Sequence, residues 1–112
     1  MARTTADPTL LAGTLDLLIL KTLSRAPLHG YGIAQQIKLA SADVLSVEEG
    51  SLYPALQRLE LKGLVHSEWR MTEHHRRARF YRLSEAGTAR LADAEAEFER
   101  LSGGVMRVLR YV

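Results

Sequence analysis

The chain has 112 residues, of which 46% are hydrophobic and 25% charged, and its formal net charge is +2. This length fits one small domain that buries a modest core and gains from an oligomeric partner. The absence of cysteine excludes disulfides and thiolate chemistry. Residues 1–8 lack an apolar signal region and the apolar run 15–20 is too short to span a bilayer, so we expect a cytoplasmic protein without a membrane anchor.

The first two predicted elements are helices that build the core. Helix one should run from about Gly13 or Thr14 to Ser24, and it is apolar nearly all round, so it should be buried on more than one side. Pro27 breaks the chain. The second helix follows the segment 29–32 and ends near Ser41 or Ala42. Its inner face is Ile33, Ala34, Ile37 and Ala40, and its outward residues are Gln35, Gln36 and Lys38.

A third helix is predicted within the stretch 49–65. We expect Ser51 to cap it, Pro54 to be tolerated in its first turn, and Gly63 to form a left-handed exit. Its packing face is Leu52, Ala55, Leu56 and Leu59, and its opposite face is Tyr53, Pro54, Gln57 and Arg58. Gln and Arg make bidentate contacts to adenine and guanine edges in the major groove. The opposite face is therefore either a DNA-reading surface or an ordinary solvated one.

Two strands, 64–69 and 77–83, follow the third helix and are joined by a basic loop. Alternation places Arg79, Tyr81 and Leu83 on one side of the second strand, and we expect Tyr81 and Leu83 to face the core. Residues 64–83 carry five Lys or Arg against two Asp or Glu. A local basic excess is typical of phosphate binding, and the alternative is a solubilising hairpin.

The final helix starts at Ser84, which we expect to be its N-cap. An apolar stripe then recurs at intervals of three and four residues, the spacing of a coiled coil. The stripe consists of Leu91, Ala94, Phe98, Leu101, Val105 and Val108. It predicts a dimer interface, although packing within one subunit is the alternative. Gly103 and Gly104 should bend or fray the helix, since glycine lowers helix stability by about 1 kcal/mol relative to alanine.

These elements predict a mainly α fold with a small β-hairpin, a winged helix-turn-helix joined to a dimerisation helix. Residues 1–83 would form the DNA-binding domain and residues 84–112 the dimerisation helix, in one continuous compact unit. An enzyme would need a constellation of catalytic groups, and the histidines and acidic residues form no nucleophile motif, phosphate loop or metal signature. We therefore expect no catalysis, no metal and no cofactor.

Four segments in this order, 13–20, 27–33, 49–60 and 79–87, resemble the PadR-type bacterial transcriptional regulators, and the short final helix resembles their compact branch. The resemblance implies a homodimer that binds a pseudo-palindromic double-stranded DNA operator, usually as a repressor, with release by an effector of unknown identity. It implies the following DNA-binding residues: Gln35, Lys38, Ser51, Tyr53, Pro54, Gln57, Arg58, Arg76, Arg77 and Arg79.

One departure from the family bears on ligands. Some members have a tryptophan in the C-terminal helix and bind flat aromatic drugs between the subunits, whereas this helix has Phe98 and no tryptophan. Drug binding is therefore not expected, and Trp69 is interpreted as a packing residue of the hairpin. The alternative function is a protein-interaction module whose winged helix no longer binds DNA. Such a module would show no salt-dependent affinity for any duplex.

Overall fold

The computed structural model of the protein describes the backbone of residues 8–111 and the side chains of residues 13–111. The N-terminal stretch in which the sequence predicts no targeting segment therefore lies almost entirely outside the described residues. The elements in chain order are α1 Pro8–Leu23, β1 Leu28–His29, α2 Gly30–Ala40, α3 Glu49–Leu61, β2 Val65–Met71, β3 Arg77–Leu83 and α4 Glu85–Tyr111. The fold is mainly helical with one small antiparallel sheet, as predicted.

The helix α1 lies at the centre of the domain and packs against α2, α3, α4 and β3. Ile19 is fully buried, and Leu15, Leu20 and Leu23 are nearly so, which confirms burial on more than one side. The helix begins at Pro8, earlier than we predicted. Proline suits the first helical turn and the following Leu10 and Leu11 are good helix formers, so the sequence is compatible with this longer helix.

The start of α3 differs from the prediction. Its N-cap residue is Glu48, and the Glu48 carbonyl accepts from the N–H groups of Ser51 and Leu52 at 3.0 and 2.9 Å. Ser51 is therefore the third helical residue and not the cap, and Pro54 lies beyond the first turn. Because proline has no N–H, the carbonyl of the exposed Gly50 lacks its usual helical donor there. Acidic residues at 48 and 49 favour this earlier start through the helix dipole.

The exit from α3 follows the prediction. Gly63 adopts a left-handed φ of 75°, and the Leu64 N–H donates to the Leu59 carbonyl at 2.9 Å, which closes the end of the helix. The predicted packing face is confirmed, because Leu52, Ala55, Leu56 and Leu59 are all buried. The same holds in α2 for Ile33 and Ile37, whereas Ala40 is exposed because it lies in the last turn.

The sheet has three strands in the order β1-β3-β2, all antiparallel. Strand β3 pairs with β2 along its whole length, from Val65 opposite Leu83 to Met71 opposite Arg77. Strand β1, which we did not predict, pairs Leu28 with Tyr81 and His29 with Phe80. Two residues are too few for an alternating pattern, so the strand has no sequence signal. Tyr81 is buried and Leu83 packs against the core, as predicted.

The start of α4 is fixed to the rest of the domain. The Ser84 hydroxyl accepts from the Gly87 N–H at 2.9 Å and donates to the Gly63 carbonyl at 2.6 Å, which confirms the predicted N-cap. Gly87 is buried against the Leu64 carbonyl, where a Cβ atom would collide with the oxygen. Lys21 of α1 also pairs with Glu95 of α4 at 3.2 Å.

The helix α4 is continuous through Gly103 and Gly104, so the fraying predicted there is not observed. Its 27 residues make it the longest element, about 40 Å at 1.5 Å per residue. It contributes to an elongated shape of 54 × 34 × 21 Å. Among the helices of the described part of the chain, none has the length and apolarity required to cross a membrane.

Candidate nucleic-acid interface

The face of α3 opposite the core is open to solvent. Tyr53, Pro54, Gln57 and Arg58 are all exposed, together with Ser51. Because the residues between them are buried, the helix presents one side to the core and the other outward, as the pattern predicted. Gln57 can extend from the middle of this face toward a partner molecule, and its amide has both donors and an acceptor.

Arg58 is less available than its position on α3 suggests. Its Nη2 atom lies 3.1 Å from the Asp16 Oδ1 atom of α1, and about half of the Arg58 side chain is exposed. The ion pair crosses from α3 to the central helix, so it holds the guanidinium beside the protein surface. A base or phosphate that binds this arginine must share it with Asp16 or displace that carboxylate.

Tyr53 links α3 to the start of α2. Its hydroxyl and ring lie directly over Gly30, where a Cβ atom would be only 2.6 Å from the hydroxyl oxygen. Gly30 is therefore needed for this close approach. Tyr53 remains 44% exposed, so the ring both packs on α2 and offers an edge to solvent.

The start of α2 carries an aromatic cluster. The His29 Nδ1 atom accepts from the Gly32 N–H at 2.9 Å and so caps the helix. The His29 ring stacks on Tyr31 with centroids 6.4 Å apart and meets the edge of Phe80 at 5.1 Å. Farther along α2, Gln35 and Lys38 are exposed, and the Gln35 amide donates to the Tyr31 hydroxyl at 3.2 Å.

The tip of the hairpin is a closed turn. The Thr72 N–H donates to the Arg76 carbonyl at 2.7 Å, and the Thr72 hydroxyl oxygen accepts from the His74 and Arg76 N–H groups, both at 3.2 Å. His75 takes a left-handed φ of 60° at the apex. The turn therefore holds Arg76 and the following Arg77 at the end of a rigid ribbon, with both side chains exposed.

Trp69 lies on the same face of the hairpin as two arginines. The guanidinium carbons of Arg77 and Arg79 are 5.3 and 5.8 Å from the centroid of a Trp69 ring that is 56% exposed. Contacts of this kind attract the cation to the ring and limit the side-chain conformations of both residues. Trp69 is thus a packing residue of the hairpin that also organises its arginines.

A three-residue network joins the hairpin to α3. The Ser67 hydroxyl donates to the Glu60 Oε2 atom at 2.7 Å and accepts from the Arg79 Nε–H at 2.8 Å. The Arg79 Nη2 atom also lies 3.6 Å from the Glu60 Oε2 atom. Tyr81 lies next to this network, and its pKa is raised, chiefly by burial, although the Arg79 charge opposes the shift. The Tyr81 hydroxyl is therefore neutral at physiological pH.

These elements border an open cleft of about 970 Å³ between the hairpin and the starts of α2 and α3. Four predicted DNA-binding residues line it, namely Tyr53, Arg76, Arg77 and Arg79. The other predicted residues do not line the cleft, and they are exposed on α2 and α3: Gln35, Lys38, Ser51, Pro54, Gln57 and Arg58. The structure thus forms a basic cleft next to a polar helix face.

Several lining or supporting residues were not predicted. Trp69 and Tyr31 line the cleft, and period-two alternation along β2 and β3 could have placed Trp69 beside Arg79. The carboxylate partners had no such signal. Asp16 lies far from Arg58 in sequence, and Glu60 contacts Arg79 only because the hairpin folds back against α3.

The fold has three helices, a hairpin that follows the third helix, and a basic cleft between the hairpin and the helices. This arrangement defines a winged helix-turn-helix protein of the DNA-binding class. Residues 19–93 match the Transcriptional regulator PadR-like family. The chain therefore belongs to the PadR-like family of transcriptional regulators, which are not enzymes.

Individual relatives agree with this assignment. A transcriptional regulator of Mycobacterium tuberculosis is 37% identical over 78 residues, which cover 70% of this chain and 69% of that protein. A PadR-family regulator structure from Eggerthella lenta has 35% identity and a TM-score of 0.73, covering 90% of this chain and 86% of that one. A transcriptional regulator structure from Clostridium thermocellum has 25% identity and a TM-score of 0.79, covering 88% and 96%.

Proposed function

We propose that the chain binds a pseudo-palindromic duplex operator as a homodimer and represses transcription there. The observation that carries the proposal is the exposed face of α3 directly beside the arginine-lined cleft. A B-DNA major groove is about 12 Å wide and admits one helix, while the neighbouring phosphates lie at the groove edges. One helix face with a basic wing beside it matches that arrangement of bases and phosphates.

In this proposal α3 reads the bases. Gln57 lies at the centre of the exposed face and is suited to an adenine edge, and Arg58 is suited to a guanine edge once it exchanges Asp16 for DNA. Tyr53, Pro54 and Ser51 lie nearer the start of the helix, where they would face the sugar-phosphate backbone. Because α3 is also packed firmly on the core, its register in the groove would be fixed by the fold.

The wing and α2 supply phosphate contacts. Arg76, Arg77 and Arg79 lie on the hairpin side of the cleft, and Gln35 and Lys38 lie on the exposed surface of α2. Contacts to phosphates position a protein on DNA without reading its sequence, and each neutralised phosphate adds to the salt dependence of binding. We therefore assign orientation and general affinity to these five residues.

We propose that a second copy of the chain covers the outer part of α4. Of the predicted stripe, Leu91 is buried in its own subunit and Ala94 is half-buried, whereas the rest are exposed. The exposed fractions are 46% for Phe98, 53% for Leu101, 58% for Val105 and 62% for Val108. Exposed apolar residues that recur along one helix face are typical of an interface, and heptad spacing favours a second helix as the partner. In this division residues 1–83 bind DNA, and the dimerisation helix of residues 84–112 meets the second copy through its part from Phe98 onward.

We propose repression as the mode of regulation, because a dimer seated on an operator would exclude other proteins from the same DNA. We place this activity in the cytoplasm. An effector that separates or reorients the two subunits would release the DNA, since both recognition helices must reach the groove together.

Selection of duplexes from a random-sequence library, followed by titration of the selected duplex at several salt concentrations, tests the proposal. We expect an enriched sequence with two-fold symmetry, and an affinity that falls linearly with salt on a logarithmic scale. A chain that enriches no sequence and has no salt-dependent affinity for any duplex would instead be a protein-interaction module.

A further inference from the structure

The Glu60 carboxylate occupies an unexpected position in a DNA-binding surface. It lies in the last turn of α3, where the helix dipole disfavours a negative charge. It also lies 3.6 Å from Arg79, a cleft residue that would contact DNA phosphates, and phosphates repel a carboxylate. Neither the stability of the helix nor attraction to DNA explains a glutamate here, so its contacts must.

Those contacts form a directional relay. A serine hydroxyl has one hydrogen, and Ser67 donates it to Glu60. The lone pairs of the same oxygen are then oriented to accept from the Arg79 Nε–H group. Since Ser67 lies on β2, Arg79 on β3 and Glu60 on α3, the relay connects both strands of the wing to the helix beside it.

The relay fixes Arg79 but leaves most of its donors available. A guanidinium has five N–H groups. Within residues 13–111, the Arg79 Nε–H group donates to Ser67, and one Nη atom lies near Glu60. The Trp69 ring covers one face of the guanidinium. About half of the Arg79 side chain is exposed in the cleft. The remaining donors can therefore meet a phosphate from a preset position.

We propose that Glu60 is a positioning residue for DNA recognition, which acts through Ser67 to hold Arg79 in register with α3. The inference rests on the proposed DNA-binding function and adds the coupling between base reading and backbone contact. When α3 lies in the major groove of the operator, the Arg79 side chain contacts a DNA phosphate in the conformation that it already has. On random DNA no such register exists, and Arg79 contributes only its charge.

The Glu60 carboxylate has two effects on DNA affinity, and they have opposite signs. Removing its charge should raise affinity for every duplex, because one repulsive group is lost. Removing its positioning effect should lower affinity for the operator alone. The ratio of operator affinity to random-duplex affinity isolates the second effect, since the change in charge affects both duplexes alike.

The test uses the full chain, the duplex that it selects from a random library, and a random duplex of equal length. Ser67→Ala should bind the selected duplex about fivefold more weakly, the size expected for one hydrogen bond, with unchanged affinity for the random duplex. Glu60→Gln should raise affinity for the random duplex and lower the ratio. Ser67→Thr retains the hydroxyl and should keep the ratio of the parent chain.

Glu68→Gln is the matched charge control, because Glu68 lies on the same hairpin but pairs with Arg70 and not with the relay. It should raise both affinities and leave the ratio unchanged. Thermal melting of each variant confirms that the fold is retained. In an Arg79→Ala background, Ser67→Ala should cause no further loss, because the serine acts through that arginine.

Ratios within twofold of the parent for both Ser67→Ala and Glu60→Gln would overturn the positioning role while leaving DNA binding intact. A further loss in the Arg79→Ala background would also overturn it. A parent chain that binds no duplex would instead remove the proposed function, and with it this inference, so the parent titration distinguishes the two failures.

Discussion

The two ends of α4 carry the same pattern of apolar residues but have different surroundings. Near its start, Gly87 and Leu91 are buried against the rest of the domain. From Phe98 onward, the apolar residues of the stripe are exposed by about half or more. The spacing of the residues is continuous across both parts. A helical pattern therefore identifies which face of a helix is covered, but it does not identify whether the same chain or another one covers it.

Among the predictions, a substitution in the buried start of α4 should have the greatest effect on the protein. In Gly87→Ala the new Cβ atom collides with the Leu64 carbonyl, which is itself held by the Ser84 N–H at 3.1 Å. We expect a loss of about 3 kcal/mol in the free energy of unfolding, at the upper end for an overpacked core. Urea unfolding measures the change. Gly103→Ala, whose Cβ meets no atom within 4 Å, is the control and should not lower stability.

A charged substitution in the exposed stripe of α4 should change dimerisation and leave the fold of each subunit intact. Leu101→Glu places two like charges in the proposed interface, and we expect the dimer dissociation constant to rise about 100-fold or more. Ala96→Glu adds the same charge on the opposite side of α4 and should leave the dimer intact. Sedimentation of both variants decides the point. A Leu101→Glu chain that remains dimeric would place the interface elsewhere.

The same contrast exists between the two faces of α3, and Gln57→Ala tests the exposed one. We expect a loss of about 1 to 3 kcal/mol in operator affinity and relaxed preference at particular base pairs, because one bidentate contact is removed. Stability should be unchanged, since Gln57 is exposed. Competition between the selected duplex and single-base variants measures the preference. Equal discrimination by parent and variant would exclude Gln57 as a reader of bases.

A change at the tip of the wing should have the mildest effect, and it distinguishes phosphate contacts of the wing from base contacts of α3. Replacing both Arg76 and Arg77 with alanine should weaken binding to selected and random duplexes alike. It should also reduce the salt slope by roughly one unit per lost phosphate contact. Fluorescence anisotropy at four or more salt concentrations gives the slope. If the slope is unchanged, the tip of the wing does not contact phosphates and its arginines are surface charges.

Much of the fold could be predicted from local pattern. The buried faces of α2 and α3, the exit at Gly63 and the cap at Ser84 each depend on residues close together in sequence, so periodicity and capping chemistry identify them. The prediction for the start of α3 was wrong because serine is a common N-cap residue, whereas here Glu48 is the N-cap. Strand β1 had no signal because two residues make no period.

The candidate site was predictable in part for the same reason. The exposed residues of α3 and the basic hairpin follow from period and charge, and the structure brings Tyr53 of α3 into one cleft with the hairpin arginines. The contacts of Arg58 with Asp16 and of Arg79 with Glu60 depend on how separate elements pack. Gly87 is required because a Cβ atom at this position would collide with the Leu64 carbonyl oxygen. Long-range contacts of this kind leave no local pattern.

Hydroxyl-radical footprinting of the parent chain on its selected duplex tests the proposed binding as a two-fold dimer, because it shows how many recognition elements contact the DNA and at what spacing. A homodimer that presents two α3 helices to one face of the duplex should protect two symmetric regions whose centres are about 34 Å, or one helical turn, apart. A single asymmetric protected region, or no protection at protein concentrations that saturate binding, would rule out binding by two symmetric α3 helices.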